Sequence, residues 1–329
     1  MSDPAPKPSG RAGPGLVPGA RAELGGPAGT ALHCGRPRPR QLKRARRPSH
    51  TAYNKGVPGV SSLQVIRSRH NEQVKKLRQA LRRGQRTPEG LVAIETFHLL
   101  QEALQSALPV PQVFCTGEAE ERVRSLLEEH AAQPQMFRLA ANVFQSVSAT
   151  RAAQGVAALV RPRAWTLDDL FAPAPALVLL LAGLQDPGNA GTILRTAEAF
   201  AATGAMLLEG TVRPENPKLL RASAGSAFRL PLLDGLRPEE ALEALRARRI
   251  PLYAAVPRAP CTLEELDLRR PLALAIGAEG AGVPPALLAQ AEPVSVPHAP
   301  RVDSLNAAVA AAIFLYSAAR ARTPSEPRP

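Results

Sequence analysis

The stretch LQDPGNAGTILRTAEAF, residues 184–200, decides how this chain folds. An apolar run, PALVLLLA at 175–182, leads into it and predicts a strand buried on both faces, as parallel strands are. Asp186-Pro187-Gly188 then breaks the strand, because Pro fixes φ and Gly opens conformations closed to other residues. From about Asn189 the period turns helical, with Ile193, Leu194, Ala197 and Phe200 along one face. Asn189, Gly191 and Arg195 therefore stand at the carboxyl end of a strand and on the first turns of a helix, where open α/β sheets bind ligands. An ordinary βα turn with an exposed arginine has the same pattern, and these residues alone leave both readings open.

Downstream the alternation continues. Strands are expected at 176–183, 205–209, 229–233, 250–256, 272–276 and 293–297, and helices at 190–202, 216–226, 238–248, 284–291 and 304–321. That rhythm is the α/β class, a mostly parallel sheet with helices on both faces, placed here at 173–323. Upstream, 60–163 reads as a smaller α/β module. In it Val65, Leu77 and Leu81 alternate with Arg67, Arg69, Lys75, Lys76, Arg78, Arg82 and Arg83 in a basic helix. A strand at 91–95, a helix through Leu108, a strand at 112–116, a helix at 118–132 and a strand at 135–140 follow. A polar stretch with Gln154-Gly155-Val156 closes the module, and 161–175 reads as a linker carrying Pro162, Pro173 and Pro175.

Residues 1–59 hold eleven Lys/Arg against two acids, Asp3 and Glu23, among many Pro, Gly and Ala. Such a segment buries too little apolar surface to offset its ordering entropy and is expected to be disordered. Its cluster RPRPRQLKRARR (36–47) either attracts phosphates without regard to sequence or is simply a solvated basic tail. The whole chain of 329 residues has 41 Lys+Arg against 28 Asp+Glu, a net charge of +13 that suits an anionic partner, most often nucleic acid. Arg outnumbers Lys, however, and a GC-rich genome also produces that bias.

Cys34, Cys115 and Cys261 are far apart and in no ligand spacing, which argues for a reducing compartment and against a structural metal. The longest apolar candidate, 307–319, contains Tyr316 and Ser317 and falls short of the roughly 18 residues a membrane span requires. The arginine-rich, acid-poor N-terminus has some organelle-presequence character. Its Pro and Gly oppose the amphipathic helix such a signal needs, so the expectation is cytoplasmic.

Three further stretches carry chemistry. KLLRASAGSAF (218–228) packs small residues where two backbones can approach closely. AIGAEGAGV (275–283) is a strand end running into a Gly-rich turn with one carboxylate, Glu279. VSVPHAPRVDSLNAAVAAAIFLY (294–316) is a strand, a loop and an Ala-rich helix, for which Ser304 makes a suitable N-cap. The Gly turn is no dinucleotide fingerprint. That motif belongs to the first βα unit with an acid about 20 residues on, whereas the first unit here reads DPGNAG.

Taken together and in order, these stretches closely resemble the three signature motifs of the SPOUT superfamily, in its TrmH/SpoU branch of RNA ribose 2′-O-methyltransferases. Asn189, Gly191 and Arg195 match N-x-G-x-x-x-R; Gly277, Glu279, Gly280 and Gly282 match G-x-E-G-x-G; Val296-Pro297 followed by Ser304-Leu305-Asn306 match the third. The resemblance implies a deep C-terminal trefoil knot, which composition does not suggest because knots are essentially absent from ordinary folds. It also implies S-adenosyl-L-methionine held largely by backbone at Gly277, Val296 and Leu305, with Gly280, Gly282 and Pro297 nearby. A homodimer that completes the active site across its interface is implied too.

By the same resemblance Arg195 is the catalytic residue, as general base or as a charge that lowers the pKa of the ribose hydroxyl. A guanidinium does not deprotonate in proteins, which favours the electrostatic role. Asn189 would fix the ribose or Arg195; Glu279 would orient Arg195 or shape its turn; Ser304 and Asn306 would anchor the 2′-oxygen or act as caps. His298 stands where the family usually has an apolar residue such as Met, and reads as a rim residue.

The module at 60–163 more loosely resembles the family's substrate-binding domain. The usual Glu-Gly is here Glu95-Thr96, which puts the register of 91–100 in doubt. Arg67, Arg69, Lys75, Lys76 and Arg82 would contact RNA phosphates. Large-subunit (23S) ribosomal RNA is the expected substrate, with transfer RNA or a catalytically silent RNA-binding role as alternatives.

Overall fold

A computed structural model describes residues 63–150 and 153–323. The basic segment 1–59 lies outside the described residues. The described chain forms two sheets.

The first sheet is built from β1 (Gln64–Ile66), β2 (Val92–Glu95), β3 (Gln112–Cys115), β4 (Gln135–Leu139) and β5 (Val156–Val160), in the order β1-β4-β3-β5-β2. β5 runs antiparallel to both its neighbours; β1, β4 and β3 are parallel. Helices α1 (Glu72–Arg83) and α4 (Ala141–Val147) pack on one face, and α2 (Phe97–Gln105) and α3 (Glu120–Glu129) on the other. Sequence reading ended the module at 154–156 and missed β5, whose VAALV is buried at every residue. It also missed α4 and β1. Val65 belongs to β1, an exposed residue on an edge strand rather than part of the basic helix. A strand of three residues shows too few alternations to be read.

Two observations settle the register at 91–100. Thr96 has φ +112° and ψ 148°, a conformation essentially reserved for glycine. Its hydroxyl still caps α2 by accepting from Leu99 N at 3.2 Å. Glu95, buried at the end of β2, accepts from Ala149 N (3.0 Å), Thr150 Oγ1 (3.1 Å) and Ser148 Oγ, and so ties the loop after α4 to the sheet. The backbone demand that usually selects Gly is met here by a strained Thr.

After α5 (Leu167–Phe171), inside the expected linker, comes the second sheet. Its strands are β6 (Leu177–Ala182), β7 (Gly204–Leu208), β8 (Leu232–Leu236), β9 (Leu252–Ala255), β10 (Cys261–Thr262), β11 (Leu272–Gly277) and β12 (Glu292–Ser295), ordered β10-β12-β9-β11-β6-β7-β8. Every pairing is parallel. The strand LVLLLA of β6 lies near the middle and is buried throughout. Leu177, Leu179 and Leu181 face α6 (Pro187–Ala199) and α11 (Ala307–Arg322), while Val178, Leu180 and Ala182 face α5, α9 (Pro238–Ala247) and α10 (Pro285–Leu288).

The helix expected at 216–226 is instead two, α7 (Pro217–Ser223) and α8 (Ser226–Arg229), separated by left-handed Ala224 and Gly225. The following strand accordingly starts at Leu232, three residues later than expected, and Arg229 is helical. Gly191 on α6 makes room for α7, since a Cβ there would lie 2.6 Å from both Ala222 Cβ and Leu219 O.

The two halves share a core. Leu220 of α7 and Phe228 of α8 join the apolar cluster beneath α2 and α3. Arg229 spans the junction, ion-paired to Glu102 on α2 and to Glu198 on α6 (Nε–Oε1, 2.5 Å). Arg86 meets Glu215 at 2.5 Å. Among the described residues no helix is long and apolar enough to cross a membrane.

Candidate active site

The carboxyl ends of β9, β11 and β12 open onto one cavity of about 290 Å³. Three chain segments line it: 255–257 after β9, 276–282 at the end of β11, and 296–307 between β12 and α11. Ala310 and Phe314 of α11 form part of its apolar wall. Sheet order explains the convergence. β12 lies beyond β9 from β11, yet α11 packs on α6, so 296–306 must pass back over the carboxyl ends of β9 and β11.

The Gly-rich turn is closed by a two-way backbone pairing of Ala278 with Gly282, at 3.1 and 2.9 Å. Gly277 lies under it. A Cβ there would run into the backbone of Gly282 and Val283, so the tight turn requires glycine at this position.

Asn189 joins the three signature stretches. It sits in the first turn of α6, where Asp186 is the N-cap and accepts from Gly188 N at 3.0 Å, with Pro187 at the first helical position. The Asn189 amide nitrogen donates to Glu279 of the Gly turn, and its oxygen accepts from Asn306 Nδ2 at 3.2 Å. Asn306 in turn caps α11, accepting from Ala308 N (2.9 Å) and Val309 N (3.2 Å). The cap is therefore Asn306 and not Ser304, and α11 starts at Ala307.

Of the residues singled out in the sequence, Gly277, Glu279, Gly280, Gly282, Val296, Ser304, Leu305 and Asn306 line the cavity. Pro297 is exposed and outside that lining. Asn189 reaches the cavity's wall through its two hydrogen bonds. Arg195 does neither: it is exposed on α6, and among the described residues no hydrogen bond or ion pair holds its guanidinium. Asn189 thus hydrogen-bonds Glu279 and Asn306, and among the described residues no hydrogen bond or ion pair joins Asn189 or Glu279 to Arg195.

Sequence reading passed over the segment 255–257 and the pair Asp186–Lys218, 2.9 Å apart. Lys218, then Gly188 N–H, holds the Asp186 carboxyl below the usual carboxylate range. An Asp followed by Pro is an N-terminal helix signal that could have revealed this cap.

The basic positions of the first module lie elsewhere. Lys75, Arg78, Arg82 and Arg83 border a shallow groove on α1. Lys75 pairs with Glu72 (2.7 Å) and Lys76 with Glu89 (2.6 Å), while Arg82 donates to Ser146 O (3.0 Å); Arg67 and Arg69 are exposed.

Residues 176–316 match the SpoU rRNA Methylase family, and residues 71–158 match the MRM3-like substrate binding domain. An uncharacterised tRNA/rRNA methyltransferase of Synechocystis sp. is 36% identical over 270 residues, covering 80% of this chain and 96% of that protein. The chain belongs to the SpoU methylase family. A second SpoU-type relative, the 23S rRNA (guanosine(2553)-2′-O)-methyltransferase RlmP of Bacillus subtilis, is 33% identical over 77% of this chain and 98% of its own length. Among solved structures, the SpoU methyltransferase AviRb of Streptomyces viridochromogenes in complex with AdoMet superimposes with a TM-score of 0.71. It is 29% identical and covers 77% of this chain and 98% of its own.

Proposed function

We propose that this chain transfers the methyl group of S-adenosyl-L-methionine to a ribose 2′-hydroxyl, with large-subunit (23S) ribosomal RNA as the substrate. The observation that carries the reading is the Asn189 bridge, which draws the three signature stretches around one cavity at the carboxyl edge of a parallel sheet. The cavity fits the cofactor. Its volume is at the lower end of small-molecule sites. Its walls combine apolar side chains with a glycine turn that exposes backbone. The names of the relatives supply the ribosomal RNA and the 2′-oxygen.

When bound, the cofactor supplies a methyl group on a positively charged sulfur, so the protein need only align the acceptor oxygen and manage its proton. Gly277, Val296 and Leu305 present backbone to the cofactor, with Gly280 and Gly282 shaping the turn. Glu279, fixed by Asn189, holds that turn in place. Arg195 stabilises the developing alkoxide and positions the neighbouring phosphate; as a permanent cation it does not take the proton itself. Ser304, which lines the cavity, would anchor the 2′-oxygen.

The exposure of Arg195 is consistent with a homodimer in which it serves the partner's cavity. Val309 and Tyr316, each 49% exposed and seven residues apart on α11, offer the apolar patch for such an interface. The course of 296–306 over β9 and β11, with α11 returning to α6, supports the knotted path. The module containing α1 would bind RNA through Arg67, Arg69, Lys75, Lys76 and Arg82, by shape and unpaired bases more than by duplex sequence.

The test is Arg195→Ala. It should abolish methyl transfer to ribosomal RNA, by at least about a hundredfold as for loss of a preorganised charge, while S-adenosylmethionine still binds in calorimetry. Transfer at the wild-type rate would contradict the assignment. Methylation of transfer RNA instead would keep the chemistry and change the substrate.

A further inference from the structure

One side of α1 is packed away and the other is almost wholly cationic. Val74, Leu77, Ala80 and Leu81 are buried in the core under α1 and α4. Lys75, Arg78, Gln79, Arg82 and Arg83 border the groove on the outward side, over about 12 Å of helix axis. Arg67 and Arg69, exposed just after β1, adjoin it, since Arg78 donates to Arg69 O at 3.2 Å. Lys75 pairs with Glu72 in the open, a contact worth little in water. Among the described residues Arg67, Arg69, Arg78, Arg82 and Arg83 have no carboxylate partner. Lys75 and Arg78 are three residues apart and Arg78 and Arg82 four, spacings at which like charges on a helix repel. The helix dipole offsets the charge of Arg82 and Arg83 in the last turn but not that of Lys75 and Arg78. An anion laid along the groove relieves the repulsion among all of them.

The kind of anion follows from what this face lacks. Residues 63–90 hold no Phe, Tyr or Trp, and His70 is their one aromatic side chain. Proteins that hold single strands join a cationic groove to aromatic platforms on which bases stack. A face of guanidinium and ammonium groups alone holds phosphates, which a duplex displays on both strands with its bases tucked inside. We infer that the outward face of α1 seats the sugar-phosphate backbone of a double-helical RNA stem, gripped by Lys75, Arg78, Arg82 and Arg83. The inference rests on the reading of the substrate as RNA. Gly84, which ends α1, lies so near the second half that a Cβ on it would be 2.9 Å from Asn216 Cα. Asn216 caps α7, and Lys218 of α7 reaches Asp186, the cap of the helix that carries Asn189. A stem laid on α1 thus has one end at the side of the molecule where α6 begins, and an unpaired nucleotide beyond it can be presented to the cavity.

The experiment titrates the full chain, over a range of salt concentrations, with a blunt RNA duplex and with each of its strands alone, chosen free of self-pairing. Residues 1–59 are the same in every variant, so differences between variants belong to α1. For the duplex, Lys75→Gln/Arg83→Gln should reduce the slope of log affinity against log salt by about 2, one for each phosphate contact. It should weaken duplex binding by more than about tenfold at about 0.1 M salt, and leave either single strand within about twofold of wild type. Lys75→Arg/Arg83→Lys, which keeps both charges, should bind the duplex as wild type does.

An unchanged slope and affinity for the duplex overturns the inference. So does an equal loss for duplex and single strands, which would place an unpaired strand on α1. Methyl transfer by the wild type to ribosomal RNA alongside either result would strike the role of α1 and keep the proposed function. Failure of the wild type to bind RNA in any form would overturn both. If a melt shows that the double variant does not fold, Arg83→Gln alone decides, with an expected slope change of about 1.

Discussion

Asn189 holds two partners with opposite hydrogen-bonding needs, and only an amide satisfies both. Its nitrogen donates to the Glu279 carboxylate and its oxygen accepts from Asn306. Asn189→Asp would set two carboxylates against each other. It should weaken S-adenosylmethionine binding by about tenfold, and Glu279→Gln in the same chain should recover most of that. Calorimetry of the two single variants and the double variant checks this; additive losses would mean that the Asn189–Glu279 contact does not shape the turn. Thr96 is held in a strained backbone conformation. Thr96→Ala and Thr96→Gly both lose the cap on α2, but only Gly relieves φ +112°. Thr96→Gly should therefore be more stable than Thr96→Ala by about 1–3 kcal/mol in denaturant melts. At this scale the sequence singled out Asn189, Gly277 and Asn306 as positions, but not that Asn189 would bridge Glu279 and Asn306. It was not legible where a role depends on what arrives from outside, as with the exposed Arg195.

Among the elements, α11 is pinned at both ends. Asn306 caps its start, and Arg322 near its end donates to Pro175 O (2.8 Å), Ala176 O (3.2 Å), Leu268 O (2.8 Å) and Arg270 O (2.7 Å). Loss of the cap by Asn306→Ala should cost about 1 kcal/mol and, because the same side chain reaches Asn189, also weaken cofactor binding. Arg322→Ala should lower stability without touching cofactor affinity, which a melt and a titration together separate. In the second sheet β6, β9 and β11 were readable because continuous apolar runs of four to six residues stand between clear breakers, whereas β10, only Cys261–Thr262, is too short to show a pattern and was missed. The break between α7 and α8 was not, since RASAGSAF is helix-compatible at nearly every residue and the left-handed turn at Ala224-Gly225 is set by packing against α6 and α2. β5 was hidden for a related reason: an unbroken VAALV looks the same in a buried helix as in a buried strand.

The molecule as a whole is held across its two sheets by charge as well as by a shared core. Arg229, then burial acting the other way, sets the Glu198 carboxyl, with the net result below the usual range. A depressed carboxylate pKa contributes stability that is present above the unfolded value, about 4.3 for Glu, and lost as pH falls through the folded value. The difference in melting temperature between wild type and Arg229→Met should therefore shrink as pH falls from about 7 to about 3; a difference that stays constant would show that Arg229 acts by packing alone. Burial pushes the Cys115 thiol up to about 11, while Cys261 is partly exposed on an edge strand. Of these two, only Cys261 should react with a thiol reagent in the native protein near neutral pH, as peptide mapping would read. The division into two α/β halves was visible in the order of elements. Their docking was not, because Glu102, Glu198 and Arg229 are far apart in sequence and unremarkable singly.

The most direct measurement uses S-adenosylmethionine labelled in its methyl group, the full chain, and large-subunit ribosomal RNA lacking the modification, with the product digested to nucleosides. The account predicts label in a single 2′-O-methylated nucleoside, absent with Arg195→Ala. Label on a base, or none at all while the cofactor binds, would contradict it.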